Sequence, residues 1–462
     1  MLGAITVNIG LKKGRNLKRS RKFIRINPAQ TLSLGFLCLI VIGTLLLMLP
    51  FATLDRHHLS FVDALFEATS AVCVTGLAVV DTETTFTLFG QIVLMVLIQV
   101  GGLGFMTFGI LIALFLGKNI GLKGRLMIQE SLNQLSIEGM VRLVKFVVIF
   151  TFLIEGIGAL ILAIGWANDF GFQDSLYYGI FHSISAFNNA GFDLMGGMGS
   201  VTGYVGDVTI ILTLSSLFII GGIGYTVILD VLRNKSIRKL SLHTKLVLII
   251  TLVLNVVGTV LIFTLEYNNP GTLGSLPFKD KVLGAYFHGV VPRTAGFNSL
   301  NTADLTLSSQ FVTMLLMFIG GGTGGTAGGI KVTTFVIIIL AVWTLIRGRE
   351  EVNIMERRIP RELVYRAFSI TLYSTAVVFI ILFILTITEN APLNVLLFEV
   401  ISAFGTVGMS LGLTPELSIV GKVVITILMF IGRVGPLTLA FALAKRTKKM
   451  PYKYVEEKIM IG

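Results

Sequence analysis

Long, almost uninterrupted apolar runs dominate the chain, near residues 31–54, 86–117, 142–167, 206–232, 244–266, 308–346, 364–388 and 419–444. A helix needs about 20 apolar residues to cross the hydrocarbon core of a bilayer, and these runs reach that length. They predict eight transmembrane helices in an all-α integral membrane protein. Between the two members of each successive pair lies a shorter, semi-polar, helix-compatible stretch that ends in a glycine. It is too short to span a bilayer and fits a re-entrant pore helix, which is tolerated at membrane depth only where it is buried in protein or lines water.

Aligned on that glycine, the four stretches read Phe66-EATSAVCVT-Gly76, Phe181-HSISAFNNA-Gly191, Tyr286-FHGVVPRTA-Gly296 and Phe398-EVISAFGTV-Gly408. The spacing from aromatic to glycine is the same in all four. Internal repetition of this kind fixes architecture. The expected unit is helix, re-entrant helix, glycine-bearing loop, helix, with four units surrounding an ion pore. The expected boundaries are a basic N-terminal tail (1–28), repeats over 29–120, 140–235, 243–348 and 362–446, and a C-terminal tail (447–462).

Composition and charge support this reading. Hydrophobic residues make up 54% of the chain and charged ones 13%, which excludes an ordinary soluble globule. The net charge of +12 does not suggest nucleic acid, because the basic residues lie in the tails and in the loops between repeats. Those loops carry Lys118, Lys123, Arg125, Arg142 and Lys145, then Arg233, Lys235, Arg238, Lys239 and Lys245, then Arg347, Arg349, Arg357, Arg358, Arg361 and Arg366. The positive-inside rule puts them, with both termini, in the cytoplasm of a multi-pass plasma-membrane protein. The first apolar run is too long for a cleaved signal, so the basic residues ahead of it read as a cytosolic tail. Cys38 and Cys73 lack the spacing of a metal site or a disulfide framework.

A dehydrated potassium ion needs oxygens in place of its water shell, and rings of backbone carbonyls supply them where the chain can turn the carbonyls inward. Glycine permits the required angles. The predicted selectivity filter is therefore Val74, Thr75 and Gly76; Asn189, Ala190 and Gly191; Thr294, Ala295 and Gly296; and Thr406, Val407 and Gly408, with the threonine hydroxyls as further donors of oxygen.

The third repeat carries a second feature. Its last apolar run is interrupted by Gly320, Gly321, Gly322, Thr323, Gly324, Gly325, Thr326, Gly328 and Gly329, ending at Lys331. Each glycine costs a helix up to about 1 kcal/mol, so this run (318–331) predicts an intramembrane loop, read as a gate beneath the filter. Arg433, a lone cation in the last span, is expected either to repel cations below the filter or to hold that loop through its carbonyls. Arg293 is expected to brace the filter loops against Glu67 or Glu399, and Asp193 to enrich cations at the outer mouth. His57 and His58 are placed in an exposed loop, while His182 and His288 cap or pack pore helices, and none is assigned a metal. Gly320, Gly322 and Gly325 match G-x-G-x-x-G but follow no strand, and Gly-Ile-Lys331 fails the Walker pattern, so no nucleotide is expected on this chain.

These features together resemble the Trk/Ktr/HKT superfamily over nearly the whole chain, and the compact eight-span form is most similar to the bacterial Ktr-type membrane subunit. The resemblance implies that Gly76, Gly191, Gly296 and Gly408 are filter glycines favouring K+, that Gly320 to Lys331 with Arg433 form the gate, and that the protein is a homodimer. It further implies docking on a cytosolic octameric ring of nucleotide-binding subunits of the RCK/KTN type, where ATP or ADP would bind. A Na+ transporter or Na+/K+ symporter of the same superfamily is the alternative, and Na+ dependence is left open. Pro292 departs from the expected pattern and leaves the end of the third pore helix open. A solute carrier would call for paired charges at a midplane site, and an intramembrane enzyme for a nucleophile–base pair or metal motif, neither of which the sequence has.

Overall fold

The computed structural model describes residues 28–54, 59–104, 107, 140–435, 455, 457 and 460. The tail over 1–27, His57 and His58, the basic residues Lys118, Lys123 and Arg125, and Lys445 to Lys449 with Lys453 lie outside the described residues. The ends of the first and fourth repeats, beyond 107 and 435, also lie outside them.

The helices follow the sequence pattern. The first repeat holds α1 (Pro28–Leu47), α2 (Phe61–Cys73) and α3 (Leu88–Leu103). In the second, α4 (Met140–Phe187) runs from the long apolar segment into the semi-polar one across a non-helical residue, Gly171, and is followed by α5 (Val208–Ile223) and α6 (Tyr225–Arg233). The third comprises α7 (Leu242–Glu266), α8 (Phe278–Val290), α9 (Leu307–Phe318) and α10 (Val332–Ile346). The fourth comprises α11 (Arg361–Thr388), α12 (Leu393–Gly405) and α13 (Ile419–Val434). A two-stranded hairpin pairing Asn353 with Arg358 joins α10 to α11.

Four helical segments among the described residues are long and apolar enough to cross a membrane: Gln30–Leu47, Val141–Phe187, Leu242–Glu266 and Arg361–Thr388. The bent pair α5 and α6 makes a fifth, turning by 94°. Helices α3, α9, α10 and α12 are shorter and apolar.

Capping explains where the last helix of each repeat starts. Thr87, Asp207, Thr306 and Ser418 each stand at an N-cap and accept from backbone N–H groups of the first turn. Acidic residues at the ends of α7 and α11 secure two of these caps: Glu266 accepts from the N–H and hydroxyl of Thr306, and Glu389 from those of Ser418.

The long helices expose Ile164, Leu252 and Leu372, each more than 60% accessible, whereas the short semi-polar helices are buried. Phe66, Phe181, Phe287 and Phe398 form the core around those short helices. An apolar exterior around a partly polar interior is the arrangement a bilayer stabilises.

The helix after the glycine segment stops short in all four repeats, and among the described residues a second helix follows the stop in the second and third, where the sequence reading expected an interruption only in the third. Helix α3 stops at Gly104, α5 at Gly224 and α13 at Gly435, all with positive φ, and α9 stops at Ile319. The signal was present in the chain as Gly101-Gly-Leu-Gly104, Gly221-Gly-Ile-Gly224 and Gly432-Arg-Val-Gly435. In each, the first glycine lets the helix pack on the end of its own short helix. A Cβ there would lie 2.0 Å from the Val72 carbonyl oxygen, 1.9 Å from that of Phe187 and 2.2 Å from that of Phe404.

Candidate ion pore

All four glycine segments have the same backbone. Positive φ occurs at the glycine itself and two residues before it: Val74 and Gly76, Asn189 and Gly191, Thr294 and Gly296, Thr406 and Gly408. The residue between has negative φ, and alternating handedness turns successive carbonyls to one side of the chain. In three repeats a serine carbonyl near the end of the short helix accepts from the N–H before the glycine: Ser70 from Thr75, Ser185 from Ala190, Ser402 from Val407, at 2.8 to 2.9 Å. The third differs, with Ala295 N–H bonded to the Val291 carbonyl. Helix α8 ends at Val290, so Pro292 lies just past it, where proline is at home.

The four segments close into a ring. A Cβ on Gly76 would sit 2.3 Å from the Ala190 carbonyl oxygen, one on Gly191 2.9 Å from that of Ala295, one on Gly296 2.6 Å from that of Val407, and one on Gly408 2.3 Å from that of Thr75. Each glycine thus packs against its successor, and the fourth returns to the first. The Lys422–Asp63 ion pair, at 2.6 Å, ties α13 to α2 across the same junction. The hydroxyls of Thr75, Thr294 and Thr406 are buried here without hydrogen-bond partners.

Beyond the ring, three repeats hold the outgoing chain through the residue after the aligned aromatic. Glu67 accepts from Val79 N–H at 2.7 Å and Val80 N–H at 3.2 Å. The Nε2 of His182 accepts from Leu194 N–H at 3.2 Å, which leaves Nδ1 to donate to the Tyr178 carbonyl at 2.7 Å. Glu399 accepts from Ser410 and Thr414 hydroxyls. The third repeat has Phe287 at this position, and its outgoing Asn298 N–H donates to Ser200 of the second repeat. His288 is buried in α8 with both ring nitrogens unpartnered.

Arg293 requires a correction. It meets neither Glu67 nor Glu399, both of which serve their own repeats. Its guanidinium donates to the Thr251 carbonyl and to Asn255 Oδ1 at 3.2 and 3.0 Å, binding the third segment to α7.

A cavity of about 430 Å³ opens on one side of the ring, lined by all four glycines with Asp81 and Asp193. Asp193 lies outside the spanning helices. Burial, helped by the charges of Asp81 and Glu83, pushes its carboxyl up to about 6.

On the other side lies the glycine-rich loop of the third repeat. A Cβ at Gly328 would meet the Thr406 hydroxyl at 2.0 Å. Gly322 and Thr326 N–H groups donate to Gly222 and Gly221 carbonyls, so the loop docks on the break between α5 and α6. The Asn189 amide meets the Thr326 hydroxyl at 2.6 Å. Turned so that its oxygen accepts there, it also accepts from Gly222 N–H at 3.3 Å and donates to the Phe218 carbonyl at 3.1 Å. Arg433 joins three repeats, donating to the Thr326 carbonyl of the loop and to Gly101 and Gly102 carbonyls in the last turn of α3. Lys331 donates to the Ala327 carbonyl within the loop. No group of metal-ligating side chains occurs among the described residues.

Comparisons with known proteins show the family. Residues 4–455 match the model of the TrkH cation transport proteins. The chain belongs to the TrkH family. It is a membrane cation transporter and not an enzyme. Among its relatives, the Ktr system potassium uptake protein B of Bacillus subtilis is 50% identical, covering 96% of this chain and 98% of that protein. The protein of the same name from Vibrio alginolyticus is 43% identical over 93% and 94%. The potassium/sodium uptake protein NtpJ of Enterococcus hirae is 38% identical over 96% and 99%. The crystal structure of the potassium transporter TrkH from Vibrio parahaemolyticus superposes with a TM-score of 0.71 at 21% identity, over 92% of this chain and 87% of that one, and so shares the TrkH fold.

Proposed function

We propose that this TrkH-family chain is a channel-like potassium uptake subunit, with the four glycine segments as its selectivity filter. The closed ring carries the reading: four backbones of one alternating conformation, each glycine against its neighbour's carbonyl, with the hydroxyls of Thr75, Thr294 and Thr406 buried without hydrogen-bond partners. Buried oxygens left unsatisfied call for a partner, and a dehydrated cation is one. The potassium uptake relatives support the choice of ion.

In this reading the eight apolar runs are eight crossings. The basic hairpin at Arg357 and Arg358 faces the cytoplasm, and the cavity with Asp81 and Asp193 opens outside. The loop over Gly320–Lys331, pinned by Arg433, Asn189 and the carbonyls of Gly221 and Gly222, is the closed gate. The protein works as a homodimer on a cytosolic nucleotide-binding ring, and relatives named as parts of a Ktr system support a partner of some kind. Sodium as a second transported or coupling ion is the other reading, favoured by the relative named a potassium/sodium uptake protein.

Flux into proteoliposomes of purified protein tests both, with K+, Rb+ and Na+ compared in turn. K+ and Rb+ uptake well above Na+ uptake is expected. Equal or greater Na+ flux moves the assignment to the sodium-transporting reading.

A further inference from the structure

A buried polar cluster lies directly behind the second filter segment, and no residue of it was singled out in the sequence. Glu155 of α4, 4% exposed, receives an N–H of Gln99 from α3 on Oε2 at 3.1 Å and an N–H of Asn188 on Oε1 at 2.9 Å. Asn188 Nδ2 also reaches Gln99 Oε1 at 2.9 Å, which closes a triangle between two repeats. The Glu155 backbone carbonyl accepts from the Ser183 hydroxyl at 2.7 Å, fixing the first half of α4 to the second. Among the described residues no cation forms an ion pair with Glu155.

The hydrogen bonds of Glu155 tie its position to that of Asn188. Each carboxylate oxygen faces a different primary amide, and each amide presents N–H. A carboxylate satisfies both. A glutamine in this arrangement would set its own N–H group against one of those amides. Asn188 immediately precedes Asn189, so whatever fixes its side chain also fixes the start of the second filter segment. Its Oδ1 is packed 2.1 Å from where a Cβ on Gly102 would lie, and the Gly102 carbonyl accepts from Arg433.

We infer that Glu155 is a positioning residue that holds the second filter segment through Asn188, so that the ring keeps the geometry a bound cation needs. The inference rests on the filter reading above.

Glu155→Gln in the full-length protein, assayed in proteoliposomes over a range of K+ concentrations, tests it. The half-saturating K+ concentration should rise about tenfold, the scale of losing one or two buried hydrogen bonds, with the K+/Na+ ratio lowered and the purified protein still monodisperse. The exchange variant Glu155→Gln with Asn188→Asp returns a carboxylate to the cluster and should recover part of the affinity. An unchanged half-saturation and ratio in Glu155→Gln would overturn the inference. So would a loss confined to maximal rate or protein yield, which marks a purely structural role. Gly296→Ser run in parallel separates the two claims: if it leaves the K+/Na+ ratio intact, the filter reading itself fails.

Discussion

The third repeat and the other three solve the same problem differently. In the first, second and fourth, the short helix ends on a serine carbonyl, the outgoing chain is held by Glu67, His182 or Glu399, and a glycine of the last helix seats on that short helix. The third has none of these. Phe287 replaces the polar brace, Val291 replaces the serine, and Gly320 packs against Gly328 of its own loop. Its support comes from Arg293, which binds α7 of the same repeat, and from the second repeat, through Asn298 to Ser200 and the loop's bonds to Gly221 and Gly222. The repeat that carries the glycine-rich loop, the proposed gate, is the one whose glycine segment lacks the polar brace, so movement of that loop need not strain a rigid neighbour.

The largest expected effect compares two ring glycines. Gly408→Ser forces a Cβ toward the Thr75 carbonyl between two braced segments, and Gly296→Ser does so toward Val407 from the unbraced one. Both should lower K+ over Na+ discrimination in flux assays, Gly408→Ser by about tenfold or more, or about 1.4 kcal/mol. Gly296→Ser should cost less, because its segment can yield. Equal losses would show that the braces do not set filter rigidity.

Next comes the loop. Deleting Gly324–Gly328 should raise K+ flux about tenfold by favouring the open state, and Arg433→Gln about fivefold by removing the bonds to Thr326, Gly101 and Gly102. Discrimination should change far less than flux. If the deletion lowered discrimination and left flux unchanged, the loop would belong to the filter.

A smaller effect is expected at the braces. Glu399→Gln leaves one acceptor for Ser410 and Thr414 and should destabilise the protein by about 1–2 kcal/mol, read as a fall in thermal midpoint in detergent. The smallest is at Asp193. With its carboxyl pushed up to about 6, the group is charged above that pH and neutral below it. K+ uptake at low concentration should therefore fall by about twofold as external pH drops through 6, and Asp193→Asn should show the lower value at every pH. A profile unchanged in the variant would assign the titration elsewhere, with Asp81 and Glu83 the nearest carboxyls.

Much of the molecule was legible because a bilayer imposes long-range order on sequence. Apolar length marks helices, and four copies of one semi-polar stretch mark a ring whose glycines must turn left-handed. The glycine-rich loop was equally visible, since no helix accommodates so many glycines. What stayed hidden was pairing between segments distant in the chain. Arg293 lay near two carboxylates in alignment, yet binds the oxygens of Thr251 and Asn255. Gly101, Gly221 and Gly432 read as ordinary helix-packing residues until their carbonyl partners were seen.

By itself, then, the sequence determined the membrane class, the fourfold unit and the glycines at the ring, because these depend on residue type and local spacing. Only the tertiary structure decided that Glu155, Gln99 and Asn188 form one cluster and that Arg433 spans three repeats. Those contacts join residues far apart in the chain, and a hydrogen bond between them is set by where the backbone carries each group, which no local pattern encodes.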